Sequence, residues 1–309
     1  MTDAVSTATR PGRSATAETV RRLPEYLMIW VPLLLSAAHL ITFSIWTIWI
    51  SFTPSTLIPV SGWVGLRNYN SVLASRNWQI AFDNLLLFGS AFVLLSLITG
   101  LMLAILLDQR IRGENVLRSI FLYPLAVSFV VTGTVWSWLL NPGIGIQKLV
   151  HDLGWTSFRF DWLIDRDMAI WTIVIAAIWQ SSGFAMALFL AGLRSVDSDI
   201  IKAAQIDGAG PVRTYWRVIL PTLWPITITV VVVQLQFAIS AFDLVRALTN
   251  GGPGIATQLP ALVVYDLMFQ RSQLGRGAAA AVLMLLILLA VLLPYAAWRY
   301  VQRRQATHA

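Results

Sequence analysis

The chain has 309 residues, of which 57% are apolar and only 12% charged, about half the charge of an ordinary soluble domain. With a mean hydropathy of +0.70 it lacks the polar residues needed to cover a water-soluble protein, and the absence of Cys excludes disulfides, thiolate metal sites and cysteine nucleophiles. The formal charge of +7 resides in Arg residues between apolar runs, the membrane pattern, so no nucleic-acid partner is expected.

Residues 1–22 are rich in Ser, Thr, Ala and Arg without helical periodicity and read as a mobile tail. Six apolar stretches follow, about 26–50, 84–107, 119–140, 168–193, 218–242 and 277–298. Each is long enough to cross ~30 Å of hydrocarbon at about 1.5 Å per residue. The expected fold is therefore all-α, a polytopic membrane protein with six transmembrane helices spanning residues 23–305. Segments 1–25, 108–118, 194–217 and 299–309 hold 14 Lys and Arg in 71 positions, against 8 in 94 for the other connections. The first set, with both termini, is expected on the cytoplasmic side.

Among the opposite connections, Asn141-Pro142-Gly143 and Asn250-Gly251-Gly252-Pro253-Gly254 are turn clusters. The stretch 257–272, apolar from Leu259 to Phe269 but too short to cross, is expected to be a surface or interfacial helix. Asp243 and Arg246, three apart, are expected to neutralise each other.

The span centres lack Asp, Glu, Lys and Arg, and His39 is the one ionisable group noted at depth. Proton or sodium coupling places such groups inside spans, so an ion-coupled transporter acting alone is the second reading. A phosphate-cradling loop needs Gly-Lys-Ser/Thr, but Lys148 follows Gln147 and Lys202 follows Ile201. Nucleotide must bind elsewhere. With only His39, His151 and His308, no metal-ligand spacing or Ser-His-Asp set can be nominated, so neither catalysis nor a metal is expected.

Between the fourth and fifth spans, at about 195–221, Asp197 or Ser198 can cap a short helix whose Ile200, Ile201, Ala203 and Ala204 share a side. Gly208 stops it, and Pro211 can start a second helix leading into the fifth span. Such a helix suits another protein's groove or the membrane surface.

Ala203-Ala204-x-x-Asp207-Gly208-Ala209, followed after eight residues by Val218-Ile219-Leu220-Pro221, resembles the EAA loop of permease subunits in ATP-binding-cassette (ABC) importers. The family's leading Glu is Lys202 here. Gly65-Leu66-Arg67-Asn68-Tyr69 and Leu248-Thr249-Asn250-Gly251-Gly252-Pro253 are similar to motifs of the carbohydrate branch, the maltose-type permeases. Phe121 to Pro124, Trp136 to Gly143 and Ala203 to Gly208 look most like glucose/mannose permeases of Gram-negative bacteria.

The resemblance implies a type I importer permease fold in a bacterial inner membrane. It implies a second permease subunit, an ATPase dimer that binds ATP and Mg and grips Ile200, Ile201, Lys202, Ala203, Ala204, Asp207, Gly208 and Ala209, and an external or periplasmic sugar-binding protein. This chain itself is expected to hold no cofactor. The solute would be a monosaccharide of glucose/mannose type or a related glycoside, with an anionic sugar derivative or a polyol as alternatives. The positions matching the sugar cavity are Gln180, Ser181, Phe184, Gln234, Phe237 and Ala241. In the fifth span Gln234, Phe237, Ala238 and Ala241 lie at i, i+3, i+4 and i+7. The same Gln and Ser residues also suit helix-to-helix hydrogen bonding. Pro221 and Pro225 either stiffen the junction into this span or initiate its helix.

Overall fold

The structure is a computed structural model that describes the backbone of residues 15–109 and 111–307, and side chains from residue 28 onward apart from 110, 201, 211, 302, 303 and 305–309. The described residues form helices and connecting loops without a strand. Four helices are long and apolar enough to cross a bilayer, and two bent pairs raise the number to six if each pair is one span.

The chain divides into two units, Met1–Trp49 and Ile50–Ala309. In the first, helix α1 (Ala15–Ser51) already begins inside the segment read as a tail, and residues 1–14 lie outside the described residues. The His39 ring lies against Phe43 one turn further on, centroids 4.4 Å apart.

The second unit is built on two long helices. After a short α2 (Arg67–Leu73), α3 (Arg76–Asp108) begins with Ser75 Oγ accepting the amide of Trp78. Two further elements, α4 (Glu114–Leu122) and α5 (Phe129–Leu139), then stand where one straight span was expected, bent by 98°. Pro124 in the intervening turn and the extended backbone of Val127 and Ser128 break the helix, and Ser128 caps the second half. A loop helix, α6 (Ile146–Asp152), leads to α7 (Ala169–Ser195), which packs along α3.

Their shared core runs through Phe88, Phe92, Ile173 and Val174, then through Ala104, Met186, Phe189 and Leu190. Lipid is as apolar as Leu, so such helices associate by close packing rather than by escape from water. Gly183 shows how close: a Cβ there would sit 2.0 Å from the Phe121 carbonyl oxygen.

Beyond α7 come α8 (Ser198–Ile206), α9 (Pro211–Thr214), a π-helical turn (Tyr215–Ile219) and α10 (Leu220–Thr222). The chain then bends by 67° into α11 (Trp224–Ile239). Pro221 lies in α10 and Pro225 in the first turn of α11. Pro225 lacks the amide that would continue the ladder. The two prolines thus mark a bend and a helix start within the expected fifth span. That helix stops at Ser240 and α12 (Phe242–Leu248) follows, with Ala241 between them at ψ 37°.

Segment 257–272, expected to be a surface or interfacial helix, instead forms two short elements with one side packed into the chain, while Phe269 stays 72% exposed. In α13 (Pro260–Tyr265) and the π turn after it (Asp266–Gln270), Leu262, Val263 and Leu267 are buried. Val263 and Leu267 share a core with Val72, Trp78, Ala279 and Ala280. The last two belong to α14 (Leu274–Thr307), the final long helix.

The motifs around Asn68 and in the Gly-rich turn at 250–254 act as ties. Asn68 Nδ2 donates to the carbonyls of Ser51 (2.9 Å) and Thr53 (2.8 Å), and Ser51 Oγ meets the Tyr69 hydroxyl at 2.6 Å. Asn84 Nδ2 donates to the carbonyls of Ala256 and Gln258, while Thr257 Oγ1 closes the Gly-rich turn on the Gly252 carbonyl. Arg246 donates to Asn250 Oδ1 and lies over the Tyr265 ring at 4.9 Å. Among the described residues it makes no ion pair with Asp243, contrary to the expectation from their spacing.

Candidate functional site: an exposed short helix and a buried polar seam

Helix α8 is specified locally at both ends. Asp197 has extended backbone and its Oδ1 accepts the Asp199 amide at 2.9 Å, satisfying one of the donors that a helix start leaves open. At the other end Gly208 adopts φ +76°. Its amide then reaches the Gln205 carbonyl (3.1 Å) and the Ala209 amide reaches that of Ala204 (3.0 Å), the paired hydrogen bonds of a Schellman stop. Nothing lies within 4 Å of where a Gly208 Cβ would be, so this glycine is required by its backbone angle alone.

Between the stops, Ile200 is 49% exposed and Ile206 86%. Lys202 and Ala203 are exposed and Ala204 half-buried. The Lys202 ammonium is held by Asp199 Oδ1 one turn back, at 2.8 Å. Ile201 belongs to the helix, and its side chain lies outside the described residues. Asp207 is exposed and Ala209 half-buried. Past the turn, Val212 and Trp216 are exposed by 72% and 70%. The segment thus presents exposed apolar side chains, Ile206 foremost, on a well-terminated helix.

One residue that positions this segment escaped the sequence reading. Arg194, in the last turn of α7, donates to Glu114 Oε1 at 2.5 Å and has its Nε 3.8 Å from Asp108 Oδ1. It ties the end of α3, the start of α4 and the end of α7 together immediately before α8. A signal was present: a cation in a final helical turn, where the helix dipole favours it, with acids at the end of one predicted span and before another.

The six residues matched to a sugar path are divided by the structure. Gln234 is fully buried and its Nε2 donates to Ser181 Oγ at 3.3 Å, while Ser181 Oγ donates to the Ala177 carbonyl at 2.9 Å. Ser96 Oγ is 3.5 Å from Ser181 Oγ, so the seam joins α3, α7 and α11. Gln180 Nε2 donates to the Val127 carbonyl at 2.7 Å, an acceptor freed by the break between α4 and α5. In a membrane a freed backbone carbonyl such as that of Val127 must be paired inside the protein, and the Gln180 amide does so. Ala241 is also buried, in the break after α11. Gln180, Ser181, Gln234 and Ala241 are thus buried in this structure, with Gln180 Oε1 and Gln234 Oε1 left without a hydrogen-bond partner among the described residues.

Phe184 and Phe237 do reach the surface, edge to face with ring centroids 6.2 Å apart, and Phe129 stands 6.4 Å from Phe237. The reason is rotation. Gln236 is turned about 200° from Gln234, and Gln236 and Ser240 are exposed. Val233, Gln236, Phe237 and Ser240 form the accessible i, i+3, i+4, i+7 face of α11, which shares Phe237 with the face expected from sequence and replaces Gln234 and Ala241 by Gln236 and Ser240.

Known proteins are similar to this chain in sequence and in fold. Residues 96–307 match the family described as binding-protein-dependent transport system inner membrane component. A probable ABC transporter permease protein of Pyrococcus horikoshii is 38% identical over 281 residues, covering 90% of this chain and 96% of that protein. The xylose/arabinose import permease protein XacH of Haloferax volcanii is 36% identical over 239 residues, 77% of this chain and 75% of that protein. In fold, the chain is similar to a crystal structure of a bacterial ABC transporter involved in the import of the acidic polysaccharide alginate, with a TM-score of 0.78 at 18% identity, over 94% of this chain and 99% of that one. An all-helical membrane chain with an exposed, capped helix between its fourth and fifth spans thus belongs to the inner membrane component family of binding-protein-dependent transport systems, the permease subunits of ABC importers, and is not an enzyme.

Proposed function

We propose that this chain forms the translocation path of a sugar importer with a second permease, and that α8 docks on a separate ATPase dimer. The supporting observation is α8 itself, stopped at both ends and presenting Ile200 and Ile206 uncovered. Closure of the ATPase on ATP and Mg would push Ile200 to Ala209, and the motion would pass through the bends flanking Pro221 and Pro225 into α11. The Lys and Arg count supports a cytoplasmic position for α8 and both termini, in a bacterial inner membrane.

The path follows Phe184 and Phe237, whose faces suit the CH surface of a sugar, with Gln236 and Ser240 offering uncharged hydrogen bonds. Gln180, Ser181, Gln234 and Ala241 build the wall behind them. A relative named for xylose and arabinose supports a hydroxyl-rich solute. Within that class, a glucose/mannose-type monosaccharide or related glycoside is the reading carried by the sequence motifs, and an anionic sugar derivative or polyol is the alternative.

The test uses the absence of native Cys. An Ala203→Cys variant carries one thiol, at an exposed position on α8. Purified with its partners and treated with a thiol crosslinker, it should join to the ATPase. In proteoliposomes, uptake should require ATP and the binding protein and persist when the membrane potential is collapsed. Uptake without an ATPase, or crosslinks that never reach one, would refute the assignment.

A further inference from the structure

At the Arg76 end of the second unit a crevice of about 240 Å³ opens between α2, the start of α3, the turn after α13 and the start of α14, lined among others by Arg76, Asn77, Gln258, Asp266, Arg271 and Arg276. An adjoining crevice of about 410 Å³ shares Arg276 and adds Arg67. Four guanidinium groups thus surround a space whose lining contains one carboxylate. In a chain with so few charges this clustering is conspicuous, and the sequence alone does not reveal it because the four residues lie in two stretches, 67–76 and 271–276, far apart along the chain.

None of the four Arg makes an ion pair among the described residues. Arg276 donates Nη1 to Gln273 Oε1 at 2.9 Å. Asp266 accepts from Gln258 Nε2 at 3.1 Å. Gln258 is only 4% exposed, and its Oε1 has no donor among the described residues. The crevice therefore calls for two things together, anionic oxygens facing the guanidinium forks and an N–H or O–H for Gln258. Guanidinium groups bind carboxylates through paired hydrogen bonds, a geometry that an ammonium does not reproduce. A polypeptide loop carrying Asp or Glu beside a free backbone amide supplies both requirements; a simple carboxylate ion supplies only the first.

The crevice lies at the opposite end of α3 from Asp108, about 50 Å away for a helix of this length, and so across the membrane from α8. On the reading proposed above that is the outer face, where the binding protein required by this family must deliver its solute. We propose that the crevice seats an acidic side chain of the substrate-binding protein, its carboxylate clamped by Arg76, Arg271 and Arg276. The inference rests on the importer reading.

The test is ATPase stimulation of the full complex in nanodiscs, titrated with the binding protein identified as its partner, at low and high salt. Arg76→Gln/Arg271→Gln should raise the half-saturating concentration about tenfold or more at low salt and flatten the salt dependence, with the maximal rate recovered at high binding-protein concentration. Arg76→Lys/Arg271→Lys, which retains charge but loses the fork, should give a smaller rise and serves as the deciding variant if the Gln pair does not assemble. Arg271→Glu should be rescued by replacing the paired acid of the binding protein with Arg.

An unchanged half-saturating concentration in the assembled variants overturns the proposal. So does inorganic phosphate binding to the permease alone that these variants abolish while docking stays normal, which would make the crevice a free-anion site. If the unaltered complex shows no stimulation by any binding protein, the importer reading fails first and this inference with it.

Discussion

Gly208 offers the sharpest test of how α8 works. At φ +76° an L-residue pays about 1–2 kcal/mol, and with nothing within 4 Å of the added Cβ no packing term complicates that cost. The penalty falls on the stop that holds the Gln205 and Ala204 carbonyls. A loss of that size lowers the population of the correctly ended helix by roughly 5–30-fold. Asn tolerates the left-handed region, Ala less well, and a β-branched residue worst.

The expected order of solute imported per ATP hydrolysed is therefore Gly, Gly208→Asn, Gly208→Ala, Gly208→Val, measured in proteoliposomes at equal protein. Yield and elution of the purified complex should stay constant across the series, because the site is exposed. Equal coupling for Val and Gly would refute the reasoning. So would an Asn variant as poor as Val, since that would make the loss one of size and not of backbone angle.

Gln180→Leu leaves the Val127 carbonyl without its partner and should destabilise the protein by about 1–3 kcal/mol, read as a lower unfolding temperature in detergent. KM for the solute should hardly change, whereas a direct sugar contact would raise it. Gly183→Ala places a methyl 2.0 Å from the Phe121 carbonyl oxygen; it should cost about 1–3 kcal/mol as overpacking, and an unaltered melting temperature would contradict the close α4–α7 approach. Arg194→Gln removes a tie whose side chain is 44% exposed, so a stability loss of at most about 1 kcal/mol is expected. Its clearer readout is reduced ATP-to-uptake coupling, which Glu114→Gln should reproduce in part.

Much of this protein is legible one segment at a time. Apolar length alone marks the segments long enough to cross, because hydrocarbon thickness sets a minimum run. The ends of α8 follow from Asp197 and Gly208, and the start of α9 from Pro211, since caps and stops are decided within a few residues. The docking-loop motif is legible for the same reason: its residues are contiguous.

Which way a polar side chain turns within a span is a different matter. Lipid and protein interior are equally apolar to a helix such as α11, so its sequence does not distinguish the Gln234 face from the Gln236 face; contact with α3 and α7 does. The break after Tyr123-Pro124 is tolerated only because Gln180, far along the chain, accepts the task of pairing the Val127 carbonyl. The burial of Val263 and Leu267 likewise depends on α14 packing over them, and the Arg194 tie and the arginine crevice each bring together residues from distant segments. Local chemistry specified where helices start, stop and span. Only the packed structure decided which of their faces are walls and which remain open, because that depends on neighbours the segment itself does not encode.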